Sequence, residues 1–130
     1  MNVKILIADR SFQIRERIKH LVKEIYNSPI IFETESNTEA IAIVKTHKPN
    51  IIITDIDLNS GSGLVLISTI KRLIPNSIKI VFTNHVKHDL ELISRKLGAD
   101  YFLSKAHDFL QIKRILNQQN NTNSINSRPN

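Results

Sequence analysis

Four residues with chemically useful side chains stand at or just past the ends of short apolar runs. Asp9 closes VKILIAD, Asp55 closes IIITD, Thr83 closes IKIVFT, and Lys105 stands two residues past DYFL. Two carboxylates, a hydroxyl and an ammonium make a set that can handle an anionic group: one carboxylate as nucleophile or cation ligand, the ammonium as fixed positive charge, the hydroxyl as hydrogen-bond donor. Each has a plain structural explanation when taken alone: a helix cap, a β-branched strand residue, a solvated lysine. Four such residues at four run ends are hard to attribute to coincidence, provided the runs lie side by side.

The spacing between them says that they do. Apolar β-rich runs occur at 3–9, 30–35, 51–55, 78–83 and 100–103. Between them, helical spacing links Phe12, Ile14, Ile18, Leu21, Val22 and Ile25, then Ala40, Ile41, Ile43 and Val44 behind a cap at Asn37 or Thr38. It continues with Leu64, Leu66, Ile67, Ile70 and Leu73, with Leu90, Ile93 and Leu97 stopped by Gly98, and with Phe109, Leu110, Ile112, Ile115 and Leu116. Five strand–helix alternations predict an α/β fold with a parallel sheet covered on both faces. The runs at 51–53 and 80–82 are apolar throughout and read as central strands, while the alternating IIFETE reads as an edge. In such a sheet ligands bind beyond the carboxyl ends of the strands, so the four residues are predicted to meet in one crevice.

Composition narrows the classes. The 130 residues suit one domain, 41% are hydrophobic, and there is no Cys, which excludes disulfide and thiolate chemistry. No apolar run approaches the roughly 18 residues needed to span a bilayer, and the first run ends too soon for a signal peptide, so the expected location is cytoplasmic with no membrane partner. The net charge of +6 is not accompanied by a helix-turn-helix, an aromatic platform or a Gly-Arg tract, so nucleic acid is not the expected partner. Arg10, Arg15, Arg17, Lys19 and Lys23 are read as a solvated helix face. His85 and His88 lack further ligands nearby and read as a polar loop entering a helix. Residues 1–117 are predicted as the domain, and the polar stretch 118–130 as a disordered tail.

The stretches Asp-Ile-Asp-Leu-Asn-Ser-Gly-Ser-Gly at 55–63, Val-Phe-Thr-Asn at 81–84 and Leu-Gly-Ala-Asp-Tyr-Phe-Leu-Ser-Lys at 97–105 resemble the response-regulator receiver domain (CheY-like) of two-component signalling, over about residues 3–116. The resemblance implies a flavodoxin-like (βα)5 doubly wound sheet of strand order 2-1-3-4-5. It implies that Asp55 accepts a phosphoryl group from a phosphohistidine on a sensor histidine kinase or histidine phosphotransfer protein, and that Thr83 and Lys105 contact that group. It further implies a magnesium ion held by Asp9, Asp55 and the backbone carbonyl of Asp57. Thr83 and the strand aromatic Phe102 would form a switch: Thr83 swings toward the acyl phosphate and Phe102 turns inward behind it. The output would be altered binding of a downstream protein, in a signalling domain that is not an enzyme beyond its own phosphorylation and dephosphorylation. With no effector domain in the sequence, a stand-alone receiver is expected.

Three departures stand out. Arg10 occupies the place of the usual second acid beside Asp9, Asn59 replaces a common Pro, and Ala106 follows Lys105 where Pro is common. Asp9, Asp55 and Lys105 sum to one negative charge, so an inward Arg10 would neutralise the crevice without a metal. That keeps open a second reading, a pseudo-receiver that binds partners independently of phosphorylation. A remote third is a haloacid-dehalogenase-type phosphohydrolase using Asp55-Ile-Asp57, Thr83 and Lys105.

Overall fold

The computed structural model describes residues 2–126, with side chains described through Thr122. Five parallel strands form one sheet: β1 (Lys4–Ala8), β2 (Ile30–Thr34), β3 (Ile51–Thr54), β6 (Ile78–Thr83) and β7 (Tyr101–Ser104), in the order β2-β1-β3-β6-β7. Counting only these strands gives 2-1-3-4-5, the order implied by the resemblance. A two-residue hairpin, β4 (Asp57–Leu58) with β5 (Gly61–Ser62), interrupts the connection after β3. The helices are α1 (Phe12–Ile25), α2 (Asn37–His47), α3 (Gly63–Leu73), α4 (His88–Leu97) and α5 (Phe109–Asn126).

Alternation along each strand assigns the two faces. Ile5, Ile7, Ile51, Ile53, Ile80 and Phe82 pack against α1 and α5 through Ile18, Leu21, Val22, Ile112, Ile115 and Leu116. Leu6, Ala8 and Ile52 face the other way onto Ala40 and Val44 of α2 and Leu66 and Ile70 of α3. A third cluster of Ile67, Val81, Ala99 and Phe102 closes the α3–α4 side. A buried aliphatic side chain contributes about 2 kcal/mol, so these layers hold the fold and the polar residues are left to position the site. β2 is an edge strand, as its alternating sequence predicts.

Several local expectations are corrected. Ser36, not Asn37 or Thr38, caps α2: its hydroxyl accepts from the Glu39 N–H, and Asn37 is already the first helical residue. The basic face of α1 is only partly solvated. Arg15 Nε and Lys19 Nζ both reach the Glu33 carboxylate, at 2.8 and 2.6 Å, and the Arg17 guanidinium lies 4.1 Å over the Phe109 ring. Helix α5 runs on to Asn126, through nine of the residues whose composition predicts a tail. Asn120 Nδ2 donates to the Ile25 carbonyl at 3.0 Å, tying this extension to the end of α1. Residues 127–130 lie outside the described residues. Gly98 ends α4 with a positive φ of 120°, and a Cβ there would meet Lys71 at 2.9 Å, which explains the glycine at that stop.

Candidate functional site

The carboxyl ends of β1, β3, β6 and β7 form one rim. Each strand ends where its next residue must leave the sheet, and in β1 and β3 that residue is an aspartate. The Asp9 N–H donates to the Thr34 carbonyl and the Asp55 N–H to the Ala8 carbonyl, so the two backbones are held in register one residue beyond the strands. Lys105 is placed in the same way: its N–H donates to the Thr83 carbonyl at 2.9 Å.

From these positions the side chains converge. Lys105 Nζ lies 2.7 Å from Asp55 Oδ2 and 2.8 Å from Asp9 Oδ2, so one ammonium bridges both carboxylates. The remaining oxygens are also satisfied: Asp9 Oδ1 accepts from the Ser11 N–H and Asp55 Oδ1 from the Ile56 N–H. All three side chains are about nine-tenths buried or more. At an effective dielectric near 20 each contact is worth roughly 6 kcal/mol before desolvation, and desolvating each ion costs several kcal/mol in return. The net is small, so the trio fixes geometry more than it stabilises the fold. Burial pushes the Asp9 carboxyl above the usual aspartate range, although Lys105 and the Ser11 N–H pull it down. Burial alone would depress the Lys105 ammonium; its contacts with Asp55 and Asp9 outweigh that and hold it above the ordinary lysine value.

Thr83, fully buried, ends β6 on this rim, and its Oγ1 accepts from the His85 N–H at 3.1 Å. The Asp57 side chain turns outward. Its Oδ2 lies 2.9 Å from His85 Nε2 and 3.5 Å from Arg10 Nη2, and His85 chiefly, with Arg10 adding, holds the carboxyl below its ordinary range. These pairs are half-exposed, and contacts of that kind contribute at most about 1 kcal/mol. The Asp57 carboxylate thus spans three loops at the mouth of the crevice. Phe102 is buried with Ile67, Val81 and Ala99, its ring already inward.

Three contributors carry little or no sequence signal. His85 shows none of its role, because a histidine two residues past a strand end, read with His88 as a polar loop, has no periodicity that points it at Asp57. Arg15 donates to the Asp9 carbonyl at 2.7 Å and steadies the loop after β1. Asn59 has its N–H on the Glu35 carbonyl at 2.9 Å, while its own carbonyl accepts from the Asn37 N–H at 2.8 Å. A proline there could make only the second bond, so the substitution ties the acceptor loop to the start of α2. Gly63 is required by contact: a Cβ would stand 1.9 Å from the Asp55 carbonyl oxygen.

The profile of the response regulator receiver domain matches residues 5–117. The chain belongs to the response regulator receiver domain family. This receiver domain is 27% identical over 115 residues to the sporulation initiation phosphotransferase F of Bacillus subtilis, covering 87% of this chain and 90% of that protein. It is 31% identical over 121 residues to a nitrate/nitrite response regulator protein homolog of Haemophilus influenzae, covering 87% of this chain and 56% of that one. Other relatives are longer still: the chain spans 28% of an uncharacterized response regulatory protein of Staphylococcus epidermidis. Among solved structures, the signal receiver domain of a Luxo repressor protein from Vibrio parahaemolyticus superimposes with a TM-score of 0.78 at 23% identity, covering 99% of this chain and 100% of that one. Receiver domains of two-component response regulators are signalling domains that generally bind magnesium at the phosphorylation site and interact with histidine kinases or phosphotransfer proteins and with downstream targets.

The donor chemistry of this receiver domain bears on that metal. A magnesium ion keeps several waters and asks for one or two carboxylates. Asp9 and Asp55 supply two, with the Asp57 carbonyl on the adjoining backbone, so the residues fit a largely hydrated ion. No group of three acidic or imidazole side chains gathers at one point among the described residues. The phosphohydrolase reading loses its support: Asp57 faces Arg10 and His85, and Asp108, the acid past Lys105, accepts from the Ser104 N–H. Among the described residues no helix is long and apolar enough to cross a membrane.

Proposed function

We propose that Asp55 is the phosphoacceptor of a cytoplasmic receiver module that signals through phosphorylation-dependent binding of a downstream protein. The observation that carries this reading is the Lys105 ammonium, just past β7, bridging Asp55 and Asp9 just past the adjacent strands β3 and β1. In the reaction an Asp55 oxygen attacks the phosphorus of a phosphohistidine on the kinase or phosphotransfer protein. The new P–O bond forms as the P–N bond breaks, and the imidazole leaves with the electron pair. The chain itself supplies position and charge. The Ile56 N–H orients the carboxylate, Lys105 exchanges one carboxylate contact for a phosphoryl oxygen, and the Thr83 hydroxyl turns from the His85 N–H toward another. Asp9, Asp55 and the Asp57 carbonyl would hold a magnesium ion, which when bound supplies charge neutralisation to the same oxygens. Phe102 lies beside Val81, two residues before Thr83 along the β6–β7 pair, and through it the change passes to the face of α4, β7 and α5.

Exposure to a small phosphodonor such as acetyl phosphate, followed by intact-mass measurement, tests the proposal. Wild type gains one phosphoryl group and Asp55→Asn gains none. Equal labelling of both, or of neither, refutes it. One observation favours a second reading, the phosphorylation-independent pseudo-receiver: Arg10 stands at the mouth where an acid is usual, already paired with Asp57. Absence of labelling together with unimpaired partner binding by Asp55→Asn would establish that reading.

A further inference from the structure

We propose that Arg10 is an internal counter-cation for the phosphoryl group: its guanidinium, held on Asp57 beside the crevice, turns onto the phosphoryl oxygens and lets Asp55 accept phosphate without a divalent metal. This rests on the reading of Asp55 as acceptor.

Four observations carry it. Arg10 directly follows Asp9, which shares the Lys105 ammonium with Asp55, so its backbone is anchored next to the reacting carboxylate. Its guanidinium is held loosely: Nη2 lies 3.5 Å from Asp57 Oδ2, beyond strong hydrogen-bond reach, with both side chains 54% exposed. Asp57 has a second, shorter contact with His85 Nε2 at 2.9 Å, so its carboxylate keeps a partner when Arg10 departs. Finally, the charges leave room for such a move. Asp9, Asp55 and Lys105 carry one net negative charge, and Arg10 and Asp57 cancel each other until a phosphoryl group arrives.

A guanidinium suits that task. Its planar fork offers paired N–H donors to two phosphoryl oxygens, keeps its charge at every working pH, and gives up hydration more readily than an ammonium. During transfer from acetyl phosphate, an Asp55 oxygen bonds to phosphorus while the bond from phosphorus to acetate breaks. Acetate departs with the electron pair, and the charge gathering on the three phosphoryl oxygens faces Lys105 on one side and Arg10 on the other. The same guanidinium opposes a cation in the crevice: an arginine where an acid would stand changes the local charge by two and weakens divalent binding.

The test is the full chain with acetyl phosphate, in excess EDTA and in magnesium, for wild type, Arg10→Gln, Arg10→Asp and Asp55→Asn, read by intact mass over time. Wild type is expected to label in EDTA within about threefold of its rate in magnesium, and Arg10→Gln to lose about tenfold or more of the EDTA rate. Arg10→Asp is expected to label only with magnesium. Independently of labelling, a magnesium titration followed by amide NMR shifts of Ile56 and Asp57 is expected to show Arg10→Asp binding about tenfold or more tightly than wild type. Labelling of wild type only with magnesium, undiminished EDTA labelling of Arg10→Gln, or equal magnesium affinity of wild type and Arg10→Asp overturns the inference while Asp55 remains the acceptor. No labelling of wild type in either condition overturns the acceptor reading and this inference with it.

Discussion

Lys105 gives up solvent for two carboxylates, and the three groups define what each can do. Replacing it with methionine leaves Asp9 and Asp55 facing each other across an apolar side chain. We expect Lys105→Met to reduce phosphoryl acceptance by about 10²-fold or more, the scale of losing a preorganised charge, measured as the rate of mass gain. NMR titration of Asp9 in the same variant should show its carboxyl moving further up. A second residue-scale expectation concerns Glu33, whose carboxyl is held below its ordinary value of 4.5 by Lys19 first and then Arg15. A depressed carboxyl adds stability above its unfolded value and loses it as pH falls through the folded one. Glu33→Gln should therefore be less stable than wild type near neutral pH and equal to it in acid, as read by urea unfolding at both pH values. At this scale the sequence was legible where a residue type coincided with a run end, as at Asp9, Asp55 and Lys105. Lys79 is the counterexample. A lone lysine at the start of an apolar run suggests solvent, yet its side chain is buried, with Nζ donating to the Ser77 carbonyl at 2.6 Å and lying 3.4 Å from Asp100 Oδ2.

Elements matter here through their ends. Three of the helices open on a serine whose hydroxyl accepts from their first turn: Ser11, Ser36 and Ser62. The expectation at α2 missed by one or two residues because Ser, Asn and Thr in succession are all good caps, and only the chain's path selects among them. The loop after β3 is a tight hairpin with Ser60 at φ 62° and Gly61 at φ 138°, a shape that neither helical nor strand periodicity announces. Its attachment to α2 through Asn59 is testable. Asn59→Pro, which restores the residue common in the family, removes the donor to Glu35 and should cost about 1 kcal/mol in urea unfolding. An unchanged or raised stability would show that the Asn59 N–H bond contributes nothing.

For the whole molecule, the five alternations were sufficient to give the layer arrangement, because parallel strands with helical crossovers admit few topologies. The extent of the final helix was not legible. The composition of 118–126 is too polar to predict burial, and among the described side chains Asn120 ties it to the Ile25 carbonyl, between residues far apart in sequence. Truncation after Asn117 should accordingly lower stability by about 1 kcal/mol in urea unfolding; a truncated chain as stable as the full one would make the extension incidental. Fold, site and proposed signalling all meet in the covalent fate of one carboxylate. Borohydride reduces an aspartyl phosphate to homoserine, so the most direct test is to treat the protein with a phosphodonor, reduce it, and map the peptides by mass. Homoserine at position 55 alone is the expected result. Homoserine at position 9 or 57 instead, or at no position, would contradict the account.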